Sequence, residues 1–350
     1  MISKVRALAL AAWALLSWAA VSSASPPSIA ASPWREAMAS VTDLERTAAF
    51  FETIAGYQRL WSGRASEEDL RFWGLPEGAA AQVLLLRAPD RPHGFVRLVQ
   101  FERAGPKPPA RPGARPWDTG CFFSLMVRAR DLDAVWADAV RLGWWSETPV
   151  TDLAFAGSQL KVVILQGPDG LQVQAYERLS PPLPEAFGAF ERVSQPFNMM
   201  QMVRDREAAR DFMEGVLGFG RFWYGAPHLE SEPAFMPLGI PRNLTTSVPY
   251  KAGIFHPAPG EFGRLEVIEI EGLEGRDHAA RCNAPNLGWL AVSYPVEDAR
   301  AATEMVRARG GRLEAGPVRL VRPPFGLIEA FRLKTPDGAN LEFFSEVAGK

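Results

Sequence analysis

An α+β fold built from four βαβββ modules is the expectation for this sequence. A long-range internal repeat, Asp-led helical stretches and a pair of Pro-Asp-Gly turns carry it. Asp43, Phe50, Glu52 and Gly56 recur as Asp205, Phe212, Glu214 and Gly218, each 162 residues further on. Pro168-Asp169-Gly170 recurs as Pro336-Asp337-Gly338, 168 residues further on. Several residue types returning at nearly one offset mark a duplication. It divides the chain into residues 33–181 and 192–347, with a linker over 182–191 beginning in Pro181-Pro182-Leu183-Pro184.

Each half divides again. Asp131 leads Leu132, Val135, Trp136 and Val140, and Asp298 leads Ala301, Met305 and Val306, the spacing of amphipathic helices whose first N–H groups an Asp can cap. Gly143 and Gly310-Gly311 stop them. Short apolar or alternating runs follow in every unit: 82–86, 95–101, 161–165, 171–176, 253–256, 265–270, 328–333 and 340–344. Pro-Asp-Gly before two of these is tight-turn chemistry. A strand, a helix and three further strands thus make one module, used four times. There are too few helices for a doubly wound parallel sheet. The Pro- and Arg-rich segment 104–120 reads as a solvated connection between the first two modules.

At 350 residues the chain suits about two domains of ordinary size. Lys+Arg 38 against Asp+Glu 40 leaves no basic field for nucleic acid. Lys4 and Arg6, the apolar run 7–21 and the small residues Ser22-Ser23-Ala24 have the form of a secretory signal peptide over 1–24, which predicts a periplasmic or secreted protein with no membrane association after cleavage. Export permits a disulfide, but Cys121 and Cys282 each precede an apolar run, and two buried free thiols are the expectation.

With "V-x-D…F…LG-F" after its first strand and Pro-Asp-Gly before its last, the module resembles that of the vicinal oxygen chelate superfamily, which includes glyoxalases, bleomycin-resistance proteins and extradiol dioxygenases. The resemblance spans about residues 33–347 and implies two glyoxalase-like half-barrel domains, 33–181 and 192–347, each of two βαβββ modules with a ligand on its concave face. It also implies a divalent metal held by His or Glu on first and last strands, where it would chelate neighbouring substrate oxygens.

Those positions map to Glu36, Ser124, Asn198 and Ala291 on first strands, and to Gln174 and Glu342 on last strands. By analogy, six residues beyond Gly94 and Gly263, Gln100 and Glu269 complete the set. None is histidine, so the resemblance does not extend to iron-dependent ring cleavage. Oxygen donors alone suit Mg²⁺, Mn²⁺ or Ca²⁺, with Glu269 and Glu342 the candidate ligands. Strand parity puts Asn340, Glu342 and Phe344 on one face and Leu341 and Phe343 on the other, and separates Gln172, Gln174 and Tyr176 from Leu171, Val173 and Ala175. A carboxylate beside Phe344 would be partly desolvated, as suits a general base.

Glu342, Asn198 and Glu269 are therefore the expected catalytic residues. Glu36, Gln100, Ser124, Gln174, Phe344 and the strand-end His256 are the expected ligand contacts. The segment 225–249 is a candidate cover for the second groove. These readings lead to an exported protein that binds a small apolar or aromatic, oxygen-bearing molecule and transforms it by proton abstraction, as an isomerase or lyase. The alternative is a non-catalytic protein that sequesters its ligand, as bleomycin-resistance proteins do.

Overall fold

The computed structural model describes residues 26–113, 115–155 and 157–347; the expected signal segment lies outside them. The first module runs β1 (Glu36–Ser40), α1 (Leu44–Ala49), β2 (Gln58–Arg64), an unforeseen short helix α2 (Glu67–Phe72), β3 (Ala80–Arg87) and β4 (Phe95–Glu102). The second is β5 (Ser124–Arg128), α3 (Leu132–Arg141), β6 (Thr151–Phe155), β7 (Ser158–Gln166) and β8 (Gln172–Ser180). The third is β9 (Asn198–Met202), α4 (Arg206–Asp211), β10 (Gly220–Tyr224), β11 (Tyr250–His256) and β12 (Arg264–Ile270). The fourth is β13 (Gly288–Pro295), α5 (Ala299–Ala308), β14 (Leu313–Arg322), β15 (Gly326–Lys334) and β16 (Asn340–Glu346).

The leading aspartates cap their helices as expected. Asp43 accepts from the Arg46 amide at 3.0 Å, Asp131 from Ala134 at 3.2 Å, Asp205 from Ala208 at 2.9 Å and Asp298 from Ala301 at 3.0 Å. In both halves the leading helix, α1 or α4, runs on into a π-helical turn, Phe50–Ile54 or Phe212–Val216.

The modules form two curled eight-strand half-barrels, but not within the halves 33–181 and 192–347. One sheet has the order β14-β15-β16-β13-β1-β4-β3-β2 and the other β10-β11-β12-β9-β5-β8-β7-β6. The first module is therefore completed by the fourth, and the second by the third. The seams are antiparallel: β1 against β13, with Met38 opposite Ala291, and β5 against β9, with Met126 opposite Asn198. Residues 182–191 accordingly join two modules of one half-barrel instead of separating domains, and Phe187 within them is buried.

Within each half of the chain, equivalent bonds instead tie one half-barrel to the other. The Asp169 carboxylate accepts from the Thr42 amide at 2.7 Å, and its counterpart Asp337 accepts from the Arg204 amide at 2.9 Å. Where the inter-module loops meet, Thr119 bridges to Asp277 and Pro109 to Leu287. This brings Cys121 and Cys282 within 5.1 Å, Cα to Cα, and they form a disulfide, not the two free thiols expected. The bridge joins the two halves of the chain through the loops that precede β5 and β13, at positions that are close to equivalent but not matched: 161 residues separate the cysteines and 167 separate Asp131 from Asp298. Segment 104–120 is correspondingly less solvated than its composition suggested: Ala110, Arg111 and Asp118 are buried.

The largest core lies between the convex sheet faces and the helices. Strand parity places Leu171, Val173, Ala175, Leu341 and Phe343 in it. Phe50 of the first module stacks on Trp144 of the second with ring centroids 4.4 Å apart, and Phe219 meets Tyr294 at 5.4 Å. Helical packing thus ties the half-barrels together, while each concave face stays separate.

Candidate active site in the half-barrel of the central modules

Register decides which side chains share a concave face. In the parallel pair β1/β4, Met38 lies beside Arg97; in β9/β12, Met200 lies beside Glu266; in β5/β8, Met126 lies beside Gln174; and in β13/β16, Ser293 lies beside Glu342. The last-strand positions are therefore Arg97, Gln174, Glu266 and Glu342. Gln174 and Glu342 were placed correctly. Gln100 and Glu269 were not, because each shares parity with residues of the helix-side core, such as Leu98 and Val267. Glu269 accepts from the Arg206 amide at the start of α4 and from Lys251 Nζ at 3.2 Å, on the opposite side of the sheet from any ligand. Together with Asp205 and Glu207 it forms the one cluster with metal-ligand spacing among the described residues, and Lys251 already pairs with it.

The first and fourth modules contribute Glu36, Arg97, Ala291 and Glu342 to one concave face, and that face is closed. Arg97 Nε donates to Glu36 Oε1 at 2.8 Å, with both side chains buried. Arg322 donates to Asp69 at 2.5 Å and to the Glu342 carboxylate, which also accepts from Ser293 Oγ at 2.6 Å. Burial pushes the Glu342 carboxyl up, and the Arg322 guanidinium opposes that shift. Around these charges Leu70, Phe72, Trp73, Leu75 and Phe344 form an apolar plug with residues of both modules. Phe344 stacks on Phe325, 6.2 Å between centroids, and belongs to the plug, not to a ligand surface. The helix α2, inserted between β2 and β3, supplies much of this filling. Glu342 is a partner in a buried ion network, in a different half-barrel from Asn198, so the expected trio of Glu342, Asn198 and Glu269 is not assembled.

The second and third modules contribute Ser124, Gln174, Asn198 and Glu266 to the other concave face, and that face is open. A cavity of about 210 Å³ is lined by Met126, Met200, Phe197, Phe155, Ile268 and Leu238 among apolar side chains, and by Gln174, Tyr176, Asn198 and Glu266 among polar ones. The excursion 225–249 covers it: Met236, Pro237 and Leu238 reach the wall. His256 is not part of the lining; it ends β11 with its ring 6.3 Å from that of Phe222, a lining residue.

Polar groups on this face form a chain of three and a pair. Ser124 Oγ donates to Gln174 Oε1 at 3.2 Å, and Gln174 Nε2 contacts the Tyr176 hydroxyl at 2.5 Å. Asn198 Nδ2 donates to Glu266 Oε2 at 2.9 Å, leaving the buried Asn198 Oδ1 without a partner. Burial raises the Glu266 carboxyl to about 7, against the opposing pull of the Asn198 amide, Arg128 and Arg264. Burial likewise raises Tyr176 well above its ordinary value and Tyr250 to about 12, so both line the cavity as neutral phenols.

Neither face offers the donors of a divalent metal. In the closed half-barrel a guanidinium, Arg97, stands at a ligand position and already neutralises Glu36. In the open one a single carboxylate is joined by two amides and a hydroxyl, and an amide NH₂ group is turned onto that carboxylate. Such a set lacks both the charge and the ligand count that Mg²⁺, Mn²⁺ or Ca²⁺ requires.

Glu266 was missed, although it falls within the run 265–270 that the sequence marks as a strand. Both of its faces carry apolar residues, so alternation alone did not say which glutamate faces the groove. The signal available was the pair Leu265 and Val267, small apolar counterparts of Val96 and Leu98, which fix parity once the modules are aligned.

With this geometry in place, comparison with solved structures becomes informative about fold. Glyoxalase I from Zea mays aligns with TM-score 0.56 at 16% identity, over 90% of this chain and 92% of that one. A point mutant of the same enzyme aligns with TM-score 0.58. A candidate dioxygenase from Bacillus subtilis aligns with TM-score 0.54 at 11% identity, over 92% and 87% of the two chains. No family model matches the chain, and comparison with curated protein sequences finds no match. The chain has the vicinal oxygen chelate fold, in two half-barrels, as its modules predicted.

Proposed function

We propose that the half-barrel of the second and third modules binds a small apolar or aromatic molecule bearing a carbonyl, and that Glu266 removes a proton from the carbon next to it. Isomerisation or elimination would follow. The observation that supports this reading most is Glu266 itself, a buried carboxylate lining the cavity, paired with an amide instead of a cation, with its proton affinity raised to about 7. Its partner suits both protonation states. The Asn198 NH₂ group donates to the carboxylate, and the amide turned over would accept from the carboxylic acid through Oδ1. Tyr176 and Tyr250, both neutral, are available to donate to the oxyanion that forms.

The reading also takes the protein to be exported. The basic, apolar and small-residue succession over 1–24 supports it, as does the Cys121–Cys282 bridge, which suits an oxidising compartment. Among the described residues no helix is long and apolar enough to cross a membrane.

The titration of Glu266 tests the site. Proton abstraction needs the carboxylate, so catalysed exchange of the α-hydrogens of a flat ketone such as 2-tetralone should rise with pH to a plateau above about 7. Stability should change in the opposite sense. A folded-state value raised above the ordinary carboxylate range gives a contribution present in full at low pH and lost as pH rises through about 7. Glu266→Gln should therefore be more stable than the parent at pH 8 and similar to it at pH 4. Denaturant midpoints at the two pH values check this, and equal midpoints at pH 8 would contradict it.

A further inference from the structure

The walls of the open cavity carry an excess of positive charge that the protein does not itself neutralise. Arg128, Arg178 and Arg264 line it, against Glu261 and Glu266. Glu261 is committed to Arg264, 3.1 Å away, and Arg264 is further held by the Gly260 carbonyl at 3.0 Å. Among the described residues Arg128 and Arg178 have no carboxylate within ion-pair distance. The Arg178 guanidinium meets the Ser158 hydroxyl, and the Nε atoms of both arginines are buried without an acceptor. Arg128 is instead held flat among rings, 4.4 Å from the Phe197 centroid, 5.4 Å from Phe187 and 5.5 Å from Tyr176.

This arrangement differs from that of Arg97 and Arg322 in the closed half-barrel, where a further buried cation, Arg332, stacks on Trp73 and donates to Asn340 Oδ1 at 2.8 Å and to the Phe72 carbonyl at 3.3 Å. There Arg97 and Arg322 are each satisfied by a carboxylate of the same chain. A guanidinium fixed in place by stacking, with donor capacity unused and facing a cavity, is prepared for an anion from outside. Glu266 does not fill that role: it lies within ion-pair distance of neither arginine, and its hydrogen bond is from Asn198.

We propose that the ligand is an organic carboxylate, its anionic end received by Arg128 and Arg178 and its flat apolar body seated among Met126, Met200 and Phe197, with Glu266 at the far end. The inference rests on the cavity reading given above and adds the chemical class of what enters. Aromatic and aliphatic monocarboxylates fit it; neutral ketones or quinones of the same shape would bind more weakly.

A matched pair of probes tests it on the mature protein by titration calorimetry. 2-Naphthoic acid and 2-naphthamide share one body and differ in charge. The carboxylate should bind about tenfold or more tightly than the amide, the usual gain from hydrogen bonds to a charged group. In Arg128→Gln and, independently, in Arg178→Gln, that ratio should fall, with Arg128→Lys restoring part of it. Circular dichroism identifies any variant that fails to fold, and the other variant then decides. Equal affinity of the parent for both probes would overturn the anionic class while leaving the cavity reading intact. A preference for the acid that survives both substitutions would overturn the assignment to these arginines. Binding of neither probe would remove the cavity reading and this inference with it.

Discussion

Glu266→Gln is expected to slow protein-catalysed deuterium exchange at the α-carbon of 2-tetralone by about 10²-fold or more, the usual contribution of a positioned general base. Binding of the ketone should persist, because the substitution keeps the shape and the Asn198 hydrogen bond and removes only the basic oxygen. The control is Glu342→Gln. Glu342 lies in the plugged half-barrel, held by Arg322 and Ser293, and has no contact with the cavity, so exchange should proceed as in the parent. Mass spectrometry of the recovered ketone gives both rates. A parent protein that binds 2-tetralone without exchanging it would favour the sequestering role, in which the open groove holds its guest unchanged.

The second large effect concerns stability. Arg322→Ala should destabilise the protein by about 3–5 kcal/mol, the typical result of removing one partner from a buried ion network. Arg322 sits between Asp69 and Glu342, all three buried, so its loss strands two carboxylates in an apolar plug. Replacing the triad together, with Asp69→Leu, Arg322→Met and Glu342→Leu, should recover most of that loss, because desolvation of the ions offsets much of their attraction. Urea midpoints of the single and triple variants check this. A single variant as stable as the parent would mean that the network is not formed.

The contrast between the two half-barrels follows from a few side chains. At equivalent last-strand positions one carries Arg97 and Glu342 and the other Gln174 and Glu266. In the first, Arg97 pairs with Glu36 and Arg322 with both Asp69 and Glu342, and helix α2 brings Phe72 and Trp73 to fill the remaining space. In the second, the corresponding insertion is the excursion 225–249, which reaches across with Met236 and Leu238 but leaves a chamber beneath. One insertion plugs its groove and the other roofs it.

Much of this molecule could be read from its residues. The four modules, the capping aspartates, the Pro-Asp-Gly turns and the facing of Gln174 and Glu342 all depend on short-range periodicity, which a sequence displays directly. The pairing of modules does not. Four copies of one βαβββ unit present the same apolar faces to any neighbour, so nothing local distinguishes first-with-second from first-with-fourth. That ambiguity put Asn198 and Glu342 in one imagined pocket, and it kept Cys121 and Cys282 apart as thiols. The repeat offset did not help, since the cysteines lie 161 residues apart while the matched positions around them, such as Asp131 and Asp298, lie 167 apart. Glu266 was hidden differently: in β12 both faces are apolar enough to be buried, so parity lacked a marker. Arg128 gave no sequence signal, because an arginine without a partner is recognisable only when its surroundings are known.

The central claim is that ligands enter the half-barrel of the second and third modules and not that of the first and fourth. Methionine methyl groups report on each separately. Met126 and Met200 line the open cavity, whereas Met38 lies within the plug. In methyl-labelled protein titrated with 2-naphthoic acid, the resonances of Met126 and Met200 should shift to saturation while that of Met38 stays in place. Movement of Met38, with Met126 and Met200 unchanged, would contradict the account.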